Sequence, residues 1–265
     1  MHKTITNETK KCGDAATRGI HLLFAKGKRP LASKIHEIAS ASKSVTVSFD
    51  PRAKDVDECG KYIESPWLEL LCDSLTFELR NLAVGSDEHF AHSLQSDNAA
   101  SGKVDDGFER VYLVPGPHLA GGEGSLPILR SMMALAASLP AFLPDIHSFY
   151  WPPARSEIEK AQFTLAIDRW LSGGTFPVPE LVSLEHRPDN TLKTRGLAFI
   201  TGQELELEAS VSIGPDSAAR LAGRLISQLV LQGAVECPDR MIGPDGHPLN
   251  LEISASKGAV IVRRG

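Results

Sequence analysis

The chain has 265 residues, 42% hydrophobic and 23% charged, which is the balance of a globular domain and excludes a disordered class. Its 28 basic residues stand against 33 acidic ones, and no Lys/Arg run exceeds two residues, so the basic footprint of a nucleic-acid binder is missing. No stretch has the length and apolarity of a signal peptide or a membrane span, and Cys12, Cys59, Cys72 and Cys237 form no C-x-x-C pair. These features predict a cytoplasmic protein with reduced thiols, no membrane partner and no bound cofactor.

In chain order, "IHLLFA" at 20–25 reads as a strand, "PLASKIHEIASAS" at 30–42 as a helix and "VTVSF" at 45–49 as a second strand, together a β-α-β unit. "SLTFELRNL" then alternates Leu75, Phe77 and Leu79 with Thr76, Glu78 and Arg80, a strand with one wet face. From 85 to 108 the chain turns polar and acidic, and we expect a linker or mobile loop there. It would divide an N-terminal α/β subdomain at 1–84 from a C-terminal α+β domain at 109–265.

The second half opens with strand "RVYLV", the loop "PGPHLAGGEGS" and a helix carrying Leu129, Met132, Met133, Ala136 and Leu139 at helical spacing. Strand "IHSFYW" stops at Pro152 and Pro153. Ser156 and Glu159 have capping-box spacing ahead of a helix with an apolar stripe of Phe163, Ala166, Ile167, Trp170 and Leu171. "ELVSLEH" predicts a further strand, "RGLAFITGQELELEA" at 195–209 a hairpin turning at Gly202-Gln203, 215–232 a helix, and "LNLEISASKGAVIVRR" a last hairpin. Strands and helices without strict alternation predict an α+β fold, with mixed or antiparallel sheets, helices on one face, and two ferredoxin-like halves.

Four groups of residues are candidates for chemistry. The loop at 116–125, with Gly116, Gly121, Gly122, Gly124 and a capping Ser125, has the strand–loop–helix order that can cradle phosphate, although it matches neither phosphate-binding glycine motif. Asp145 and His147 alternate near a strand end, as an acid orienting a general base would. His89 and His92 stand three apart beside Asp87, two imidazoles in want of a third metal ligand. Glu204, Glu206 and Glu208 share one face of a strand, where they form either a solvated acidic surface, suited to an edge strand, or a docking face for a basic protein.

The segments "YWPPARSEIEKAQF", "LSGGTFPVPELVSL" and "KTRGLAFITGQELELE" resemble the bacterial domain-of-unknown-function family 4261, most clearly over residues 145–210. The positions that carry the resemblance are Trp151, Pro152, Gly196, Leu197, Gly202, Glu204 and Glu206. It implies architectural roles for the aromatic, the proline and the glycines, and no assigned catalytic residue.

With no intact catalytic motif and an acidic balance, the sequence predicts a non-catalytic protein-binding module, an immunity or accessory factor of a toxin or secretion system, with Glu204, Glu206 and Glu208 as its binding face. The alternative is a hydrolase-like or nucleotide-binding enzyme built on the 116–125 loop with Asp145 and His147. A homodimer through an exposed strand or helix face is a third expectation.

Overall fold

The computed structural model describes residues 17–41, 45–83, 107–211, 214–243 and 245–265. Cys12, Asp87, His89, His92 and most of the 85–108 segment lie outside the described residues. The fold is α+β, with one antiparallel and one mixed sheet. The chain forms two compact units, Met1–Pro152 with Glu157–Leu171, and Pro153–Ser156 with Ser172–Gly265.

The first unit is built on β1 (Ile20–Ala25), β2 (Thr46–Phe49), β3 (Trp67–Cys72), β4 (Leu75–Arg80), β5 (Phe108–Pro115), β6 (Ile146–Trp151) and β7 (Ser156–Glu159), in the order β2-β3-β4-β5-β1-β6-β7. Three helices belong to it: α1 (Ala32–Ala41), α2 (Leu126–Ser138) and α3 (Lys160–Leu171). Period-two alternation sorts its residues into two faces. On one face, Leu68, Leu79, Leu113 and Ile20 lie in a single register row and are fully buried. Phe149 stacks on Phe163 at 4.1 Å, so α3 packs on this face, and Met132, Met133 and Ala136 of α2 join the core. Each buried Leu, Ile, Phe or Met side chain contributes about 1.5–3 kcal/mol by leaving water. On the other face, Trp67, Arg80, Tyr112, His21 and Tyr150 form one register row across five strands.

This topology corrects several expectations. The strand–helix–strand start is real, but β3, β4 and β5 separate β1 from β2. Because β4 and β5 pair directly, the 85–108 segment connects neighbouring strands of one sheet; the compact units divide instead around 152–172. Ferredoxin-like halves are not found, since the sheets have seven and six strands. Residues 156–159 extend a strand, and the cap of α3 is Glu159, whose carboxylate accepts the amides of Ala161 and Gln162 at 3.1 Å each. Ser156, the expected cap, donates to the Glu180 carbonyl at 3.2 Å.

The second unit contains α4 (Val178–Leu181), β8 (Ser183–His186), β9 (Leu192–Arg195), α5 (Leu197–Thr201), β10 (Glu204–Leu207), α6 (Pro215–Gln232), β11 (Asp239–Ile242), β12 (Pro248–Ile253) and β13 (Ala259–Arg264). Its sheet runs β11-β12-β13-β10-β9-β8, with β10 and β13 parallel. α6 buries Ala218, Leu221, Ala222, Leu225, Ile226 and Leu229 and packs on β10 and α5. The predicted 195–209 hairpin is a strand, one turn of helix and a strand. "LAFIT" coils because left-handed glycines bound it, Gly196 at φ 100° and Gly202 at φ 82°. Gly202 thus supplies a positive φ, but as a helix cap whose amide reaches the Ala198 carbonyl at 2.9 Å rather than as a hairpin turn.

Candidate functional site

The three glutamates follow the predicted alternation, with Leu205 and Leu207 buried between them. Each carboxylate is engaged inside the unit. Glu204 accepts the Thr194 hydroxyl at 2.6 Å and the amides of Gly196 and Ala198 at 2.8 and 3.2 Å, which caps α5. Glu206 lies 3.9 Å from Lys193, and Glu208 accepts Arg263 Nε at 2.6 Å. Arg263 also bridges to Glu252 at 2.7 Å. β10 sits between β13 and β9, so the row is central and not at an edge.

The glycine-rich loop has spent much of its donor capacity on itself. The amides of Gly116, Gly122 and Ser125 bond to the carbonyls of Thr76, Leu119 and Gly122. The Gly121 amide is taken by the Glu123 carboxylate at 2.9 Å, and Arg18 holds that carboxylate at 3.1 Å. Burial pushes the Glu123 pKa up, but the amide and Arg18 bonds outweigh it and leave the group below its ordinary range. Ser125 occupies the N-cap position of α2 with no side-chain cap bond.

Asp145 and His147 do not join this loop. The loop follows β5 at the end of the sheet where Leu113 meets Ile20, whereas Ile146 meets Phe24. Those ends are four residues apart on β1, about 14 Å at ~3.4 Å per residue. Asp145 faces Lys28 at 4.0 Å, and His147 stacks on Phe108 at 4.6 Å. Among the described residues no group of three or more His, Cys, Asp or Glu is arranged to hold a metal.

A dense polar cluster around Asp50 carries no signature in the sequence. Asp50, immediately after β2 and nearly buried, accepts His36 Nε2 of α1 at 2.7 Å, the Tyr62 hydroxyl at 2.6 Å, the Arg52 amide at 2.8 Å and the Ser65 hydroxyl. Burial raises its pKa, but these bonds dominate and hold it at about 2. A second carboxylate, Glu64, accepts the amide and hydroxyl of Ser33 at 3.0 and 2.6 Å at the start of α1. The 50–65 segment is therefore tied to α1 at two points. The hydroxyls of the cluster donate to Asp50 and not to the imidazole, so the arrangement is an anchor and not a nucleophile–base pair. No local motif marks it, because its members come together from four points between 36 and 65.

What the anchor holds is the end of β2, which among the described residues is one of four edge strands in the two sheets. All four are four residues long. Three carry charge: "SEIE" in β7, "SLEH" in β8 and "DRMI" in β11. β2 reads "TVSF" and is accessible at every position. Phe49 is 51% exposed and meets Trp67 in a tilted ring contact at 5.5 Å, and Trp67 in turn lies under the Arg80 guanidinium. Leu71, 40% exposed, extends the same face of β3.

No family model matches the chain, and no curated protein or solved structure does either. Trp151, expected to be architectural, is fully buried at the end of β6, and Gly196, Leu197, Gly202 and Glu204 all build α5 and its caps.

Proposed function

We propose that the chain is a non-catalytic protein-binding module whose docking element is the free edge of β2, and that an extended segment of the partner adds to it as a further strand. One observation carries this reading: β2 lacks the charges that protect the other edges, and its outer residues, Phe49 with Leu71 beside it, are exposed. In strand addition the main chain supplies affinity and alternate side chains supply specificity, here through contact with Phe49, Trp67 and Leu71. The Asp50 anchor supports it by fixing the end of the strand, which lowers the entropy cost of binding. An immunity or accessory factor of a toxin or secretion system is the setting we propose, on the acidic balance and the resemblance over 145–210. The engaged carboxylates of Glu204, Glu206 and Glu208 leave less charge for a partner than their spacing suggested.

The test is hydrogen exchange of the β2 amides with and without the partner recovered by pull-down, together with Ser48→Lys. Protection at 46–49 on binding and loss of binding in S48K are expected. Binding that leaves those amides unprotected would overturn the reading.

A further inference from the structure

A second feature of the first unit lies along α2. An open groove of about 460 Å³ runs along α2, lined by Leu126, Pro127, Arg130, Ser131 and Ala134 with Asp73 and Leu171. Residues 127, 130, 131 and 134 fall on one helix face, giving a floor about 10 Å long at ~1.5 Å per residue.

The floor is mainly apolar, and its charges are of opposite sign. Arg130 is fixed in place: its guanidinium lies 4.9 Å from the Trp170 ring centroid, and Nη2 donates to the Leu171 carbonyl at 3.3 Å. A guanidinium has five N–H donors in a rigid fork, so one such bond leaves donors for a ligand carboxylate. Asp73 is exposed in the β3–β4 turn, held at φ 50°. The two line the same groove without bridging to each other. The complementary ligand is therefore one whose opposite charges are also held apart.

We infer that this groove binds a small zwitterion whose carboxylate and ammonium groups are separated by an apolar spacer, with the carboxylate on Arg130, the ammonium on Asp73 and the spacer along Leu126, Pro127 and Ala134. An ω-amino acid and a short apolar peptide share this chemistry.

The test is a titration of the full chain, followed by amide NMR, with 6-aminohexanoate, hexanoate and hexylamine, and with leucyl-leucine as a peptide arm. Binding of 6-aminohexanoate or leucyl-leucine, with shifts at 126–134 and around Asp73, is expected. For the better zwitterion, removing either charge should weaken binding about tenfold, the worth of one charge-assisted hydrogen bond. Which zwitterion binds tighter identifies the source. Asp73→Asn, which tolerates the left-handed turn, should abolish the advantage over hexanoate without touching the core. Arg130→Gln should abolish the advantage over hexylamine. The inference is overturned if neither zwitterion shifts these amides at ligand concentrations up to about 10 mM, or if all the ligands bind alike, or if D73N keeps the full preference.

Discussion

β10 and β2 are both four-residue strands, yet their sequences and their surroundings are opposed. β10 carries alternating carboxylates and lies inside its sheet, while β2 carries no charge and lies at an edge. The charged strand and the residue that follows it have their side chains occupied: Glu204 by a helix terminus, Glu206 by Lys193 and Glu208 by Arg263. The uncharged strand has exposed residues and, among the described residues, a strand neighbour on one side alone. Charge density in a sequence thus marked internal wiring, and the open surface belonged to a segment with no motif.

The largest effect on stability should come from the glutamate that looked most like part of a binding face. Glu204→Ala removes the acceptor for two amides and one hydroxyl at a half-buried position, and leaves Thr194 and the start of α5 without it. A loss of about 2–3 kcal/mol is expected in urea unfolding, from a helix cap plus a charged hydrogen bond. If the loss were no larger than for Glu206→Gln, the contrast between wired and solvated carboxylates would fail within β10 itself.

Acid should act on the β2 end through Asp50. Its folded pKa of about 2 lies below the ordinary 3.8, so the stabilisation is complete above pH about 4 and is lost as pH falls through about 2. The size is about 2 kcal/mol, since a tenfold change in proton affinity corresponds to ~1.4 kcal/mol. Asp50→Asn should flatten that part of the acid unfolding curve. An unchanged curve would mean that the anchor does not hold the ionised carboxylate.

Much of the fold was legible where one local rule acted alone. The alternation of Leu75, Phe77 and Leu79 and the stripe of Phe163, Ile167 and Trp170 formed the strand and the helix that their periods predicted, but the wet face expected of β4 is closed at Glu78, which is buried and paired with Arg80. "LAFIT" failed because its apolar run satisfies strand and helix alike, and the decision was made by Gly196, Gly202 and the Glu204 carboxylate of the following strand. The Asp50 cluster was invisible for a related reason: His36, Asp50, Tyr62 and Ser65 converge only after β2 and β3 have paired and the loop has closed on α1. The order of the first sheet was equally hidden, since periodicity does not say that three strands separate β1 from β2.

The two glycines that bound α5 give a smaller and internally controlled effect. Both have positive φ, but a Cβ at Gly196 would lie 3.0 Å from the Ala154 amide nitrogen and the Leu181 carbonyl oxygen, whereas at Gly202 it would meet open space. Gly202→Ala should cost about 1 kcal/mol from backbone conformation alone. Gly196→Ala should cost more, because backbone must also shift. Equal losses would show that the close approach to Ala154 and Leu181 is not maintained in solution.

The smallest change in stability, and the sharpest division between the two strands, is expected from Ser48→Lys. Ser48 is exposed and donates to Glu69 at 2.7 Å, and a lysine there can replace that hydrogen bond with an ion pair to the same carboxylate. Such surface exchanges shift stability by about 0.5 kcal/mol or less. Yet the lysine gives β2 what β7, β8 and β11 already carry, a charge that an incoming strand would have to desolvate. Partner binding should fall at least about tenfold, which corresponds to ~1.4 kcal/mol, while the unfolding curve stays in place. Replacing all of Glu204, Glu206 and Glu208 with glutamine should do the reverse, lowering stability first and affecting binding only as folded protein is lost. If the glutamine variant, still folded, lost its partner and S48K kept it, the docking face would lie on β10 and the assignment of the two strands would be exchanged.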